Sequence, residues 1–165
     1  MTDFIPILQV VVFAGAAWLS GYITTFSVAI PHIALAPPLI AAKQWEDFYD
    51  RGKLSAPPFG LVLGSLFGYL SYSLGGLSSS QGRVYALAGV VTASTIPYTL
   101  IVMLSTNKKL QAYAAKDALS KEEKEAKVAT QEVGKLLSAW GAFNAVRAMM
   151  PATGALLAGW ALMRW

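Results

Sequence analysis

The stretch Trp140-Gly-Ala-Phe-Asn144-Ala-Val-Arg147-Ala-Met-Met-Pro151 lies inside the last long apolar segment of the chain. At about 100° per residue, Trp140, Asn144, Arg147 and Pro151 fall within roughly 60° of arc on one helix face. An arginine and an asparagine therefore project the same way from a segment long enough to cross a membrane. An ionisable group at that depth costs from about 2.5 kcal/mol on insertion scales to far more in simulations, and normally faces a protein interior or a cavity. The rest of the chain has to supply that interior.

Working outward, the 165 residues are 55% hydrophobic and only 13% charged, with a mean hydropathy of +0.49. An ordinary soluble domain carries about 25% charged residues. Several apolar runs exceed the roughly 20 residues that a helix needs to span a hydrocarbon core. The expected fold is all-α: an integral membrane four-helix bundle forming a single domain over residues 1–165, with spans at about 4–33, 58–74, 83–104 and 134–163. The N-terminus lacks the basic region of a cleaved signal peptide, so the first apolar run is expected to be retained as a span.

The chain has no cysteine, which excludes disulfides, thiolate metal centres and thiol redox chemistry. A single histidine argues against a haem pair or a histidine-cluster metal site. The net charge of +4 is no nucleic-acid signature, because the lysines flank apolar runs and alternate with acids.

The first span is rich in small and hydroxyl residues (Gly15, Ser20, Gly21, Thr24, Thr25, Ser27), which let helices approach closely in lipid. Pro31 frees the Ser27 carbonyl, so a kink or helix end is expected there, with His32 immediately after. At helical pitch Trp18, Tyr22, Thr25 and His32 share a face if the helix continues past the proline. Residues 39–50 then read as a short interfacial helix carrying Trp45, Phe48 and Tyr49 at headgroup level, stopped by Gly52 and the Pro57-Pro58 pair. Gly60, Gly64 and Gly68 in the second span offer a groove to a neighbour, and residues 75–82 form a polar turn. Pro97 frees a further carbonyl within the third span, among Thr92, Ser94, Thr95, Tyr98 and Thr99. Ser120 with Glu123 forms a capping box, so one long last helix is expected to run from near Lys121, through water and then the membrane, to near Arg164.

The two long connections, after spans one and three, hold ten basic residues between them, against Arg83 and Arg164 at the opposite side. The positive-inside rule places both connections in the cytosol and both termini in the lumen or outside.

The polar groups in the spans should converge: Tyr22, Thr25 and His32 from span one, Thr95, Tyr98 and Thr99 from span three, Asn144 and Arg147 from span four. Two readings of Asn144 and Arg147 stand. They cap carbonyls freed at Pro31 or Pro97 and lock the bundle, or they hold the oxygen of a ligand. With no acidic residue in any span, an unpaired buried cation suits an anion supplied from outside. His32 titrates nearest neutrality and is the default general base, which requires it to face Arg147. Tyr98 is a candidate donor to an oxyanion. Trp140, Thr25, Tyr22, Thr99 and Trp45 complete the candidate substrate-binding wall.

The pieces Gln44-Trp45-x3-Tyr49-x2-Gly52-x3-Ala56-Pro57-Pro58, Pro97-Tyr98-Thr99, Ser105-Thr106-Asn107-x2-Leu110 and Trp140-x3-Asn144-x2-Arg147 occur in this order. This pattern resembles the anthrone oxygenase-like family of small fungal integral membrane proteins, across nearly the whole chain. The resemblance implies oxidation of an anthrone to an anthraquinone in aromatic polyketide biosynthesis, with O2 as co-substrate and no organic or metal cofactor. It also implies residence in the endoplasmic reticulum. On that basis His32 would take a proton from C10, while Arg147 and Asn144, helped by Tyr98, hold the oxyanion at the former ketone. The expected partners are a small aromatic polyketide and membrane lipid; a homo-oligomer is left open. Two alternatives remain: a cofactor-free membrane isomerase or cyclase using the same residues, and a non-enzymatic accessory protein engaging partners through the Lys/Glu-rich helix.

Overall fold

The computed structural model describes residues 4–116 and 123–164, and all regular structure among them is helical. Helix α1 spans Phe4–Ile33, α2 Pro38–Ser73, α3 Ser80–Ala93, α4 Thr95–Tyr98, α5 Leu104–Ala114 and α6 Glu123–Arg164, with a π-helical segment at Thr99–Met103 between α4 and α5. Among the described residues four stretches are long and apolar enough to cross a membrane: α1, α2, the α3-to-α5 line, and Val128–Arg164.

The four packed lines form a ring: α1 lies against α6, α6 against α3, α3 against α2, and α2 against α1. Small residues set these approaches, as expected where helices meet without water to drive them together. A Cβ at Gly15 would come within 2.7 Å of Leu63, and one at Gly89 within 2.8 Å of Phe67. Of the three glycines expected to form a groove in α2, Gly60 and Gly64 do face α4 and α3, but a Cβ at Gly68 would meet nothing within 4 Å. A four-residue repeat advances about 400° per step, so it drifts around a straight helix and only part of it can meet one neighbour.

Two elements depart from the sequence expectation. The short interfacial helix stopped at Gly52 and Pro57-Pro58 does not exist as a separate element: α2 is continuous over 36 residues, with both prolines inside it. Pro38 opens it at a position where a missing N–H costs nothing. Pro57 and Pro58 free the carbonyls of Lys53 and Leu54, and both of these residues are exposed, Leu54 to 77%. Gly52 is buried for packing: a Cβ there would meet the Phe26 ring at 3.4 Å. The second departure is in the third line, expected to end near Leu104 but continuing as helix to Ala114. Leu110 and Asn107 explain it, since both are buried against the helices beside them.

α1 does pass through Pro31 and ends two residues later at Ile33. Between α2 and α3 the polar turn forms as expected: Gly75 and Gly76 have φ of 95° and 60°, where a side chain would be strained. Ser79 caps α3, its hydroxyl accepting the Gly82 N–H at 2.8 Å. α6 runs for 42 residues to Arg164; its expected Ser120 cap and Lys121 start lie outside the described residues.

Two cores stack along the ring. One, around Leu8, Leu19, Phe67, Tyr85 and Ala158, joins α1, α2, α3 and α6. The other, around Phe26, Ile33, Trp45, Met103, Leu110, Leu137 and Trp140, joins the C-terminal end of α1, the first half of α2, α5 and the first half of α6. At 1.5 Å per residue, helices of 30 to 42 residues reach about 45–60 Å, well beyond a hydrocarbon core of about 30 Å.

Candidate active site

At the seam between the two cores the third line is broken. Ser94 interrupts the helix, Pro97 removes a donor within α4, and the chain then winds wider as a π-helix over Thr99–Met103. Such wide turns are rare and recur at functional sites. The side-chain hydroxyls satisfy part of the disturbed backbone: Thr95 Oγ1 donates to the Thr92 carbonyl at 2.9 Å and Thr99 Oγ1 to the Thr95 carbonyl at 2.7 Å.

Beside this break lies a cavity of about 210 Å³, lined by Ile23 and Phe26 from α1, by Phe48, Tyr49, Gly52, Lys53, Ala56 and Pro57 from α2, by Thr95, Ile96, Thr99 and Leu100, and by Trp140 and Arg147 from α6. Its walls are mostly apolar and aromatic. None of these lining residues is acidic, and two of them, Arg147 and Lys53, are basic. Arg147 donates from Nη1 to Thr99 Oγ1 at 3.2 Å, while its buried Nε has no partner among the described residues. A guanidinium carries five N–H donors, so this one retains donors for a ligand.

Asn144 is placed differently from Arg147. It is fully buried, and its amide donates to the Ile23 carbonyl and to Ser27 Oγ, both at 2.8 Å. It ties α6 to α1 and is not part of the cavity lining. The pair therefore divides in position: Asn144 bonds the Ile23 carbonyl and not a carbonyl freed by Pro31 or Pro97, while Arg147 lines the cavity. Trp140 both lines the cavity and donates from Nε1 to Asn107 Oδ1 at 2.9 Å.

The other sequence candidates scatter. Thr99 lines the cavity; Tyr98 does not. Trp45 is fully buried behind the wall, stacked on Tyr49 at 5.0 Å and edge-on to Trp140 at 5.8 Å. Tyr22 and Thr25 lie outside the lining; the Tyr22 hydroxyl pairs with Ser55 at 2.7 Å and Thr25 Oγ1 donates to the Tyr22 carbonyl at 2.7 Å. His32 is exposed and lines a separate outer cleft with Gln44, Asp47 and Arg51. Phe48 borders both spaces and stands between them. The required arrangement of His32 facing Arg147 across one substrate is thus not present.

Tyr49 and Lys53 were missed as cavity residues because Tyr49 was assigned to headgroup level on the short interfacial helix and Lys53 lay beyond its expected end. A signal for them existed: 49, 52, 53, 56 and 57 follow the i, i+3, i+4, i+7, i+8 spacing of one helical stripe, and all five line the cavity.

The sequence model of the family described as anthrone oxygenase matches residues 45–157. The chain belongs to the anthrone oxygenase family. A noranthrone monooxygenase of Aspergillus flavus is 31% identical over 152 residues, covering 86% of this chain and 69% of the relative. A monooxygenase of Dothistroma septosporum is 28% identical over 158 residues, covering 94% and 79%. An anthrone oxygenase of Aspergillus fumigatus is 24% identical over 164 residues, covering 92% and 90%. No solved structure matches the chain. The protein is accordingly an oxygenase, and the α2, α4 and α6 segments that wall the cavity lie within the matched region.

Proposed function

We propose that this oxygenase oxidises an anthrone to an anthraquinone with O2, within a membrane and without a cofactor, as a step of aromatic polyketide biosynthesis. The observation that carries the reading is Arg147: a cation with unused donors on the wall of an apolar cavity whose lining holds no acid. An anthrone is flat, apolar and soluble in lipid, and its C10 proton becomes acidic because loss of that proton leaves an aromatic oxyanion. Arg147, oriented by Thr99, holds that developing oxyanion, a contact that strengthens as charge forms. The protein thereby raises the acidity of the substrate, and the proton leaves to water at the cavity mouth. The electron-rich carbanion reduces O2, a C10 hydroperoxide forms, and loss of water gives the new carbonyl. One oxygen atom stays in the product and the other leaves as water. Both C10 hydrogens are consumed, so no external reductant is required.

The apolar walls orient the ring system and limit water around the oxyanion. The four long apolar helices support a membrane setting. The basic residues on the two long connections favour a cytosolic location for them, with both termini in the lumen of the endoplasmic reticulum.

Purified protein in lipid nanodiscs is expected to consume O2 on addition of an anthrone, with anthraquinone appearing at a matching rate. Turnover that continues under nitrogen would favour an isomerase or cyclase. His32→Ala is expected to keep kcat/KM within about threefold, whereas loss of a general base would cost about 100-fold or more. A 100-fold loss in folded H32A protein would return the histidine to the chemistry.

A further inference from the structure

Arg147 meets the need of a single oxyanion, which leaves the second cation of the cavity without a role. Lys53 is exposed at the rim, its ammonium 5.9 Å from the centre of the Tyr49 ring, while Arg147 lies deeper, with its Nε fully buried. The two positive groups thus sit at different depths of one slot walled by Phe26, Phe48, Tyr49 and Leu100. A rigid planar ligand lying in that slot presents one end to each.

Resting on the anthrone reading above, we infer that the substrate carries a carboxylate on the ring nearest the mouth, and that Lys53 is the residue that selects it. The side chains around Lys53 make this more than a lysine reaching for the headgroups. Asp50 and Arg51 precede it on α2, yet neither lines the cavity, and Arg51 borders the outer cleft with His32. Lys53 belongs instead to the stripe of Tyr49, Gly52, Ala56 and Pro57 that walls the cavity. A ring carboxylic acid has a pKa of about 4 and is ionised at neutral pH, whereas a phenol at about 10 is not. The carboxylate is therefore the group that gains from a fixed ammonium at the rim, by a charge-assisted hydrogen bond next to an apolar wall. Because that contact exists before and after C10 loses its proton, it contributes to binding rather than to the chemical step.

The test compares one dihydroxyanthrone with and without a ring carboxylate, on wild-type protein and on Lys53→Gln and Lys53→Arg. Wild type is expected to favour the carboxylated compound by about tenfold in kcat/KM, most of it in KM. In K53Q the ratio between the two compounds falls to about one; in K53R it is largely kept. Equal use of both compounds by wild type, or a K53Q loss that falls equally on both, overturns the proposal and leaves Lys53 as a headgroup contact. Dissociation constants measured under nitrogen by quenching of tryptophan fluorescence separate the two layers. A carboxylate preference in binding with no O2 uptake sustains the Lys53 assignment and sinks the oxygenase mechanism. O2 uptake with no preference does the reverse.

Discussion

Arg147→Ala is expected to lose about 100-fold or more in kcat/KM on an anthrone while remaining folded. Removing one preorganised donor to a developing oxyanion costs about 10² to 10³ in rate, and Arg147 is the basic side chain on the inner wall of the cavity. Arg147→Lys is expected to recover little, because an ammonium cannot reproduce a planar fork that bonds Thr99 and a ligand oxygen together. The stability of the variant decides between the two roles open to this residue. A structural lock would lose stability and activity in step. A ligand-holding cation is buried at the expense of its own hydration, so its removal should leave the thermal midpoint in nanodiscs unchanged or higher. Thr99→Val, which keeps the shape but removes the acceptor at 3.2 Å, is expected to cost only about tenfold, since its hydroxyl acts by orienting the guanidinium. If R147A turned over at the wild-type rate, the oxyanion assignment would be abandoned.

The contrast with Asn144 shows where the sequence was informative. Helical pitch alone put Trp140, Asn144 and Arg147 on one face, and all three do turn inward. Pitch does not tell which neighbour each residue meets. Asn144 falls against α1, whose Ile23 carbonyl and Ser27 hydroxyl absorb its amide, whereas Arg147, about one turn on, falls against the broken third line. The four long apolar stretches were legible because span length is set by bilayer thickness. The continuity of α2 was not, because Pro57-Pro58 removes two donors in any conformation, and only the tertiary structure reveals that Lys53 and Leu54, whose carbonyls are freed, are both exposed. His32 was misplaced for a related reason: a helical wheel fixes its azimuth on α1 but not the position of Phe48, which separates its cleft from the cavity. The π-helical segment left no local trace beyond Pro97, and the register of the third line against α6 is visible only in the packed structure.

That register leads to a second large effect, at a residue remote from the cavity. A Cβ at Gly154 would lie 2.1 Å from Thr92 Oγ1 and 3.1 Å from the Ala88 carbonyl, so Gly154→Ala forces α3 and α6 apart. Overpacking of this kind costs about 1–3 kcal/mol, and a backbone oxygen among the clashing atoms places G154A near the top of that range. Thr92 and Thr99 are seven residues apart on one line, and Gly154 and Arg147 are seven apart on the other, running the opposite way. The clash therefore sits two helical turns from the Arg147–Thr99 hydrogen bond in the same antiparallel register, which continues to Asn107 against Trp140. Separating the helices at Gly154 should lengthen the 3.2 Å contact and turn the guanidinium from its ligand position. G154A is thus expected to lower the thermal midpoint and also to cut kcat/KM by about tenfold or more in the protein that remains folded. The double variant G154A/T92A removes the hydroxyl that a new Cβ would strike and should recover most of both losses, a coupling that independent sites would not show. Recovery of stability without recovery of activity would mean that the cavity does not depend on this register. Failure to recover either would place the strain at the Ala88 carbonyl instead of at Thr92.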